Sequence, residues 1–151
     1  MIRQIVWVSA AVKPFSTDAL LRLLERSRTS NAGRDITGLL LYHEGSFLQF
    51  MEGPAEEVEW VFENRIKRDH RHTDITLLYS RDAETRALPD FSMGFINTSD
   101  RLLSGLPGFR DFKFTTSGFL PLKDDSRMLA HIVNGFHDGR WHRALNGAAA
   151  E

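Results

Sequence analysis

The stretch Ser46-Phe47-Leu48-Gln49-Phe50-Met51-Glu52-Gly53-Pro54 constrains the fold more than any other part of the chain. It alternates as a strand does, placing Phe47, Gln49 and Met51 on one face and Leu48 and Phe50 on the other. Both faces are apolar, which predicts a central strand covered on two sides. Gln49 interrupts the apolar row. Its carboxamide carries donors and acceptors that cost roughly 1–3 kcal/mol when buried unpaired. Two readings are open: backbone groups or a buried water satisfy it, or it faces a polar ligand.

The flanking segments supply the remaining elements. Ile2 to Ser9 alternates and is rich in β-branched residues, so it reads as a strand with Ile5, Trp7 and Ser9 on one face and Val6 and Val8 on the other. Pro14-Phe15-Ser16 breaks that strand, and Ser16 or Thr17 caps a helix with Asp18 in its first turn. Leu20, Leu23 and Leu24 form its apolar stripe, and it ends near Ser30-Asn31 with Gly33 as the stop. Ile36 to Tyr42 is a second strand, joined through His43-Glu44-Gly45-Ser46 in a hairpin to the stretch above. Pro54 stands at the first position of a second helix, with Val58, Val61, Phe62 and Ile66 on one face and an end near Lys67-Arg68. Ile75 to Tyr79 is a fourth strand and Phe91 to Ile96 a fifth, with Phe91, Met93 and Phe95 on one face.

The order βαββαββ predicts an α+β fold of the ferredoxin-like kind, a mixed five-stranded sheet with two helices on one face. The other face is apolar as well. Residues 99–145 hold the material to cover it: Leu102, Leu103, and a helical stretch around Met128, Leu129, Ile132, Val133 and Phe136. They are expected to form C-terminal helices on the free face, alone or within a dimer. The boundaries expected are 1–97 for the sheet domain, 98–146 for the helical cap and 147–151 for a frayed tail.

Composition excludes several functions. At 151 residues, with 42% hydrophobic and 26% charged side chains, one packed domain is expected. A net charge of −1 gives no footprint for nucleic acid or a membrane surface. The chain has no cysteine, which removes disulfides, thiol catalysis and thiolate metal sites. No apolar run is long enough for a membrane span and no signal-peptide pattern opens the chain, so a cytoplasmic location is expected. His70 and His72 flank Arg71 without a carboxylate that completes a metal pattern, and no phosphate loop or nucleophile elbow occurs. No metal site and no enzymatic activity are expected. What remains is polar residues near the helix side of the sheet: Gln49, Asn31 at the end of the first helix, and Arg71 and His72 after the second. Amide and guanidinium groups around an apolar slot suit a flat heteroaromatic ligand, and the residues alone are equally compatible with an ordinary core.

The run Asn31-Ala32-Gly33-Arg34-Asp35-Ile36-Thr37-Gly38-Leu39-Leu40-Leu41-Tyr42, followed by Gly45-Ser46-Phe47-Leu48-Gln49-Phe50-Met51-Glu52-Gly53-Pro54, resembles the BLUF domain, the bacterial blue-light sensor using FAD. Asp69-His70-Arg71-His72 and Phe91-Ser92-Met93 resemble its later motifs, so the likeness runs over residues 1–97. The resemblance implies a ferredoxin-like fold holding FAD, with FMN or riboflavin as substitutes, between the two helices. It implies that Gln49 is the glutamine that rearranges on illumination. By the same likeness Asn31 bonds the pyrimidine edge, Met93 lies near the glutamine, and Ser27, Ile66, Arg71 and His72 lie near the ring or ribityl chain. In that family an electron and a proton pass from a first-strand tyrosine to the flavin, and recombination leaves the glutamine in a new hydrogen-bonding state.

Two residues depart from the family pattern. Trp7, two before Ser9, stands at the tyrosine position, and Phe91 stands where many relatives place tryptophan. A phenol donates and accepts hydrogen bonds, whereas indole only donates. Trp7 can give an electron but cannot accept a bond from the Gln49 amide, so the switch is expected to be absent, altered or short-lived. The expected function is a blue-light photoreceptor acting through a protein partner, itself an oligomer. The alternatives are a light-silent interaction module that has lost flavin and, last, a flavin-dependent redox protein.

Overall fold

The computed structural model describes residues 1–89, the backbone of 94–97, and residues 135 and 136. Its elements in chain order are β1 (Ile2–Ala11), α1 (Thr17–Gly33), β2 (Thr37–His43), β3 (Ser46–Gly53), α2 (Ala55–Val61) continuing into a π-helical turn (Phe62–Ile66), β4 (His72–Ala83) and β5 (Gly94–Asn97). The strands lie in the order β4-β1-β3-β2-β5. β4, β1, β3 and β2 are antiparallel neighbours, and the short β5 runs parallel to β2. With its two helices, this is the α+β arrangement that the order of elements predicted. The expected C-terminal helices, and Phe91 and Met93 of the expected fifth strand, lie outside the described residues.

β3 is central, and every one of its residues is buried. Its two faces feed two cores. Phe47 and Met51 pack with Ile5, Trp7, Leu20, Leu24 and Val58 beneath the helices. Leu48 and Phe50 pack with Val6, Val8, Leu39 and Leu41 on the far face, where Leu88 and Phe136 also sit. Each fully buried side chain of this kind contributes about 1.5–3 kcal/mol. The hairpin from β2 to β3 turns on Glu44 and Gly45, both at positive φ (44° and 91°), which matches the twist of the strands it joins. Gly38 is required by close approach: a Cβ there would lie 2.2 Å from the Phe50 carbonyl oxygen of the neighbouring strand.

Several boundaries differ from the sequence reading. Ser16 does cap α1, its hydroxyl accepting from the Ala19 N–H at 3.1 Å. Gly33, however, is the last helical residue rather than the left-handed stop. That role falls to Asp35 at φ 58°, a residue type that tolerates this region. Pro54 caps α2 from outside instead of filling its first turn. The second helix does not run regularly to Lys67: from Phe62 it widens, and the Lys67 N–H reaches back to the Phe62 carbonyl at 3.0 Å. β4 begins three residues earlier and ends four later than its apolar run, from Ile75 to Tyr79, indicated. It is held there by the ladder to β1, which side-chain pattern does not report.

Candidate functional site

Position 49 is set by the sheet. Gln49 lies opposite Trp7 in the β1–β3 ladder and opposite Leu40 in the β2–β3 ladder. All three point toward the helices and all three are buried. The β1–β4 register slips between Val6 and Trp7 and again between Val8 and Ala10. Trp7 and Ser9 thus occupy an irregular stretch of the kind that re-aims side chains beside functional sites.

Above this row lies a slot of about 50 Å³. The sheet contributes Trp7, Leu40, Phe47, Gln49 and His72, the first residue of β4; α1 contributes Leu23 and Ser27; the π-helical turn contributes Ile66; and Phe15, Asp69 and Arg71 close it from the connecting segments. The structure therefore brings together Trp7, Ser27, Gln49, Ile66, Arg71 and His72. Asn31 is buried at the end of α1, where its backbone carbonyl accepts from the Arg34 and Ile36 N–H groups, but it is not among the slot-lining residues. Met93 lies outside the described residues. The sequence reading missed Phe15, Leu23, Leu40, Phe47 and Asp69 as wall residues. Strand register identifies Leu40, and strand parity places Phe47 on the Gln49 face. Phe15 and Asp69 lie in loops and give no periodic signal.

His72 is a brace. Its Nε2 lies 2.7 Å from the Ile66 carbonyl oxygen and its Nδ1 lies 2.7 Å from Ser9 Oγ. A carbonyl can only accept, so Nε2 carries the proton and donates; in the neutral ring Nδ1 accepts from the serine hydroxyl. The ring stands edge-on to Trp7, with centroids 5.6 Å apart. The carbonyl it holds belongs to the last residue of the π-helical turn, so the widened turn, β1 and the start of β4 are tied at one point.

The mouth of the slot is charged. Arg71 donates from Nη2 to Asp69 Oδ2 at 2.6 Å, and from Nε and its backbone N–H to Oδ1 at 2.9 and 3.0 Å. Burial alone would raise the Asp69 carboxyl, but the Arg71 hydrogen bonds and charge outweigh it and hold it below the usual carboxylate value. The same bonds raise Arg71. The Arg71 guanidinium lies 5.8 Å from the Phe15 ring centre, and the Phe15 N–H donates to the Tyr42 hydroxyl at 3.1 Å. Phe15 and Arg71 also border a second cavity of about 390 Å³ that carries Lys13, Arg22, Arg26 and His70. A narrow aromatic slot thus adjoins a wider basic vestibule.

The donor set fits a flat heteroaromatic with carbonyl edges. Trp7 Nε1 is buried and has no hydrogen-bond partner among the described residues. An orphaned buried N–H costs about 1–3 kcal/mol and is relieved by any acceptor entering beside it. The slot's volume is below that of a tricyclic ring, and Phe15 and Arg71 border both the slot and the larger cavity.

Sheet, helices and slot together define an α+β domain with a narrow cleft in its helical layer. The chain belongs to the BLUF family, the sensors of blue light using FAD, whose family model matches residues 2–94. It is 30% identical over 107 residues to the photoactivated adenylate cyclase subunit beta of Euglena gracilis and 29% identical to that of Euglena longa, covering 71% of this chain and 12% of each relative. The chain therefore spans about one-eighth of the length of those relatives. Among solved structures, it resembles BlrB, a BLUF protein in its dark state, with a TM-score of 0.62, 27% identity, and 70% of this chain and 77% of that one covered. It also resembles a bacterial light-regulated adenylyl cyclase, with a TM-score of 0.63, 25% identity, and 91% of this chain and 35% of that one covered. Klebsiella pneumoniae BlrP1 with FMN and cyclic diGMP, at 21% identity and a TM-score of 0.69 over 92% of this chain and 35% of that one, shares the fold.

No helix among the described residues is long and apolar enough to cross a membrane. The acidic start of α2 makes ion pairs: Glu57 with Arg34 at 2.7 Å, and Glu59 with Arg3.

Proposed function

We propose that this domain binds FAD in the Trp7–Gln49 slot and senses blue light by photochemistry altered at Trp7. The observation that carries the reading is the buried Trp7 indole N–H, without a partner among the described residues and directly across the ladder from the Gln49 carboxamide. Bound flavin supplies the absorption of blue light and, once excited, a strong one-electron oxidant. Trp7 is the oxidisable side chain lining the slot. Its N–H can only donate and has no acceptor among the described residues, so its complement is an acceptor on the ligand. Turning the Gln49 NH₂ toward it would set N–H against N–H. Trp7 therefore holds Gln49 in one orientation, where a phenol would accept either. Ser27, Ile66 and His72 wall the ring, Asn31 and Met93 serve its polar edge and the Gln49 side, and Arg71 with Lys13, Arg22 and Arg26 receives a phosphorylated side chain in the basic vestibule.

In the same proposal the flavin domain covers residues 1–97, with five strands, and the segment 98–146 forms a helical cap on the far face. Phe136, buried among far-face residues, supports that placement. The output is association with another protein, or with a second copy of the chain, in the cytoplasm. Incubation with FAD, gel filtration and a visible spectrum test the reading. The expected result is about one flavin per chain with no lasting light-induced shift. The slot's small volume favours one rival, a light-silent interaction module; a colourless protein of defined oligomeric state would establish that rival and overturn flavin binding.

A further inference from the structure

Glu52 lies three residues beyond Gln49 on β3, and alternation turns it to the opposite face of the sheet. It is 0% exposed. Its Oε1 accepts from Gln4 Nε2 at 3.0 Å and from the Ala87 N–H at 2.8 Å. Its Oε2 accepts from Thr37 Oγ1 at 3.2 Å and from the Leu88 N–H at 2.7 Å. Neighbouring strands β1 and β2 and the segment leaving β4 thus converge on one carboxylate. No arginine or lysine touches either oxygen among the described residues. Arg86 instead donates to Thr37 Oγ1 at 3.0 Å and to the Glu52 backbone carbonyl at 3.2 Å, holding the same segment from its other side.

Four donors need a group that accepts on both oxygens, and only an ionised carboxylate does so. A carboxamide would turn its NH₂ toward one pair of donors and release one of the two backbone amides. Packing alone does not call for a charge here, because the surrounding cluster is aliphatic and aromatic. Ala87 and Leu88 belong to that cluster together with Phe136, and the chain runs on from them to β5 beside β2.

We infer that Glu52 is a positioning residue that couples the Gln49 side of β3 to the far face of the sheet. A single rigid strand carries Gln49 into the slot and Glu52 onto the 87–88 amides, so a change at the slot reaches that segment through the carboxylate. The inference rests on flavin binding as proposed above.

Hydrogen exchange at the Ala87 and Leu88 amides of the full chain, with and without FAD, tests it, and visible absorption reports flavin occupancy independently. In the native protein, flavin loading slows these two amides by about tenfold. Glu52→Gln keeps the flavin spectrum, accelerates both amides by about 10- to 100-fold, and reduces the flavin-dependent difference to less than about twofold. Thr37→Val removes one donor at constant shape; it gives an intermediate response and decides the matter if Glu52→Gln fails to fold. A variant that retains the native flavin-dependent difference overturns the inference. So does a native protein that binds flavin while the exchange of these amides ignores it. A protein that takes up no flavin, seen as no visible absorption, overturns the flavin reading and this inference with it.

Discussion

Replacing Trp7 by tyrosine puts a group that both donates and accepts across the ladder from Gln49. Trp7 is 3% exposed and touches Phe62 and His72, with ring centroids 6.5 and 5.6 Å away. The substitution removes roughly 30 Å³ of side chain, which at about 24 cal/mol per Å³ costs ~0.7 kcal/mol. In the flavin-free protein it also removes an indole N–H that has no partner among the described residues, and relief of such a group is worth about 1–3 kcal/mol. The gain exceeds the loss by about 0.3–2.3 kcal/mol, so the Tm of the flavin-free protein should rise by roughly 1–9 °C, at about 2–4 °C per kcal/mol for a chain of this size. A phenol accepts as well as donates, so both Gln49 orientations become available. The assay is the absorption of the flavin-loaded variant in the dark, under blue light, and during recovery. The expected outcome is a light-induced red shift of the flavin band that reverts in the dark, in contrast to the native protein. A variant that folds, binds flavin and shows no shift would refute the reasoning, leaving Phe91 as the next residue to change.

Further outcomes concern the frame and the mouth. Gly38→Ala forces a Cβ to 2.2 Å from the Phe50 carbonyl oxygen, so the β2–β3 pair must separate; thermal unfolding should show a loss of about 2–4 kcal/mol, and an unchanged Tm would contradict the close approach. Asp69→Asn removes the carboxylate that grips Arg71 and should release bound flavin several-fold faster at neutral pH in a stopped-flow chase; equal rates would remove the pair from the mouth. The Asp69 carboxyl is held below its ordinary value of 3.8, so its stabilising effect is complete above that pH. It fades only as the pH falls through the lower folded value, and acid titration of flavin release should show no Asp69-dependent step between neutrality and about pH 4. Lys13, Arg22 and Arg26 line the vestibule; FAD and FMN should therefore bind about tenfold more tightly than riboflavin at low salt, a gap that added salt narrows. Equal affinities would place the phosphates elsewhere.

Much of the fold is legible in the sequence because its strands alternate and its helices carry regular stripes. β3 shows this best: parity alone divides Phe47 and Met51 from Leu48 and Phe50, as the two cores do. Trp7, Gln49, Ser27, Ile66, Arg71 and His72 came together partly through parity and partly through family likeness. Other features had no one-dimensional signal. The second helix widens at Phe62, and His72 of β4 holds the Ile66 carbonyl at the end of the widened turn. The left-handed residue after α1 is Asp35 rather than the more obvious Gly33. Phe15 enters the slot wall because Tyr42 anchors its backbone. Glu52 reads as a strand-end carboxylate until its four donors, three of them from distant segments, are seen together.

The central claim is that a flavin enters beside Gln49 and supplies what the buried Trp7 N–H lacks. The chain has three tryptophans, of which Trp60 is 40% exposed and Trp7 is 3% exposed. ¹⁵N–¹H correlation spectra of the indole groups, with Trp7 assigned by Trp7→Phe, measure this directly. On addition of FAD the Trp7 Nε1–H resonance should move downfield and gain protection from exchange as it acquires an acceptor, while Trp60 stays in place. A Trp7 resonance that ignores saturating FAD would contradict the account.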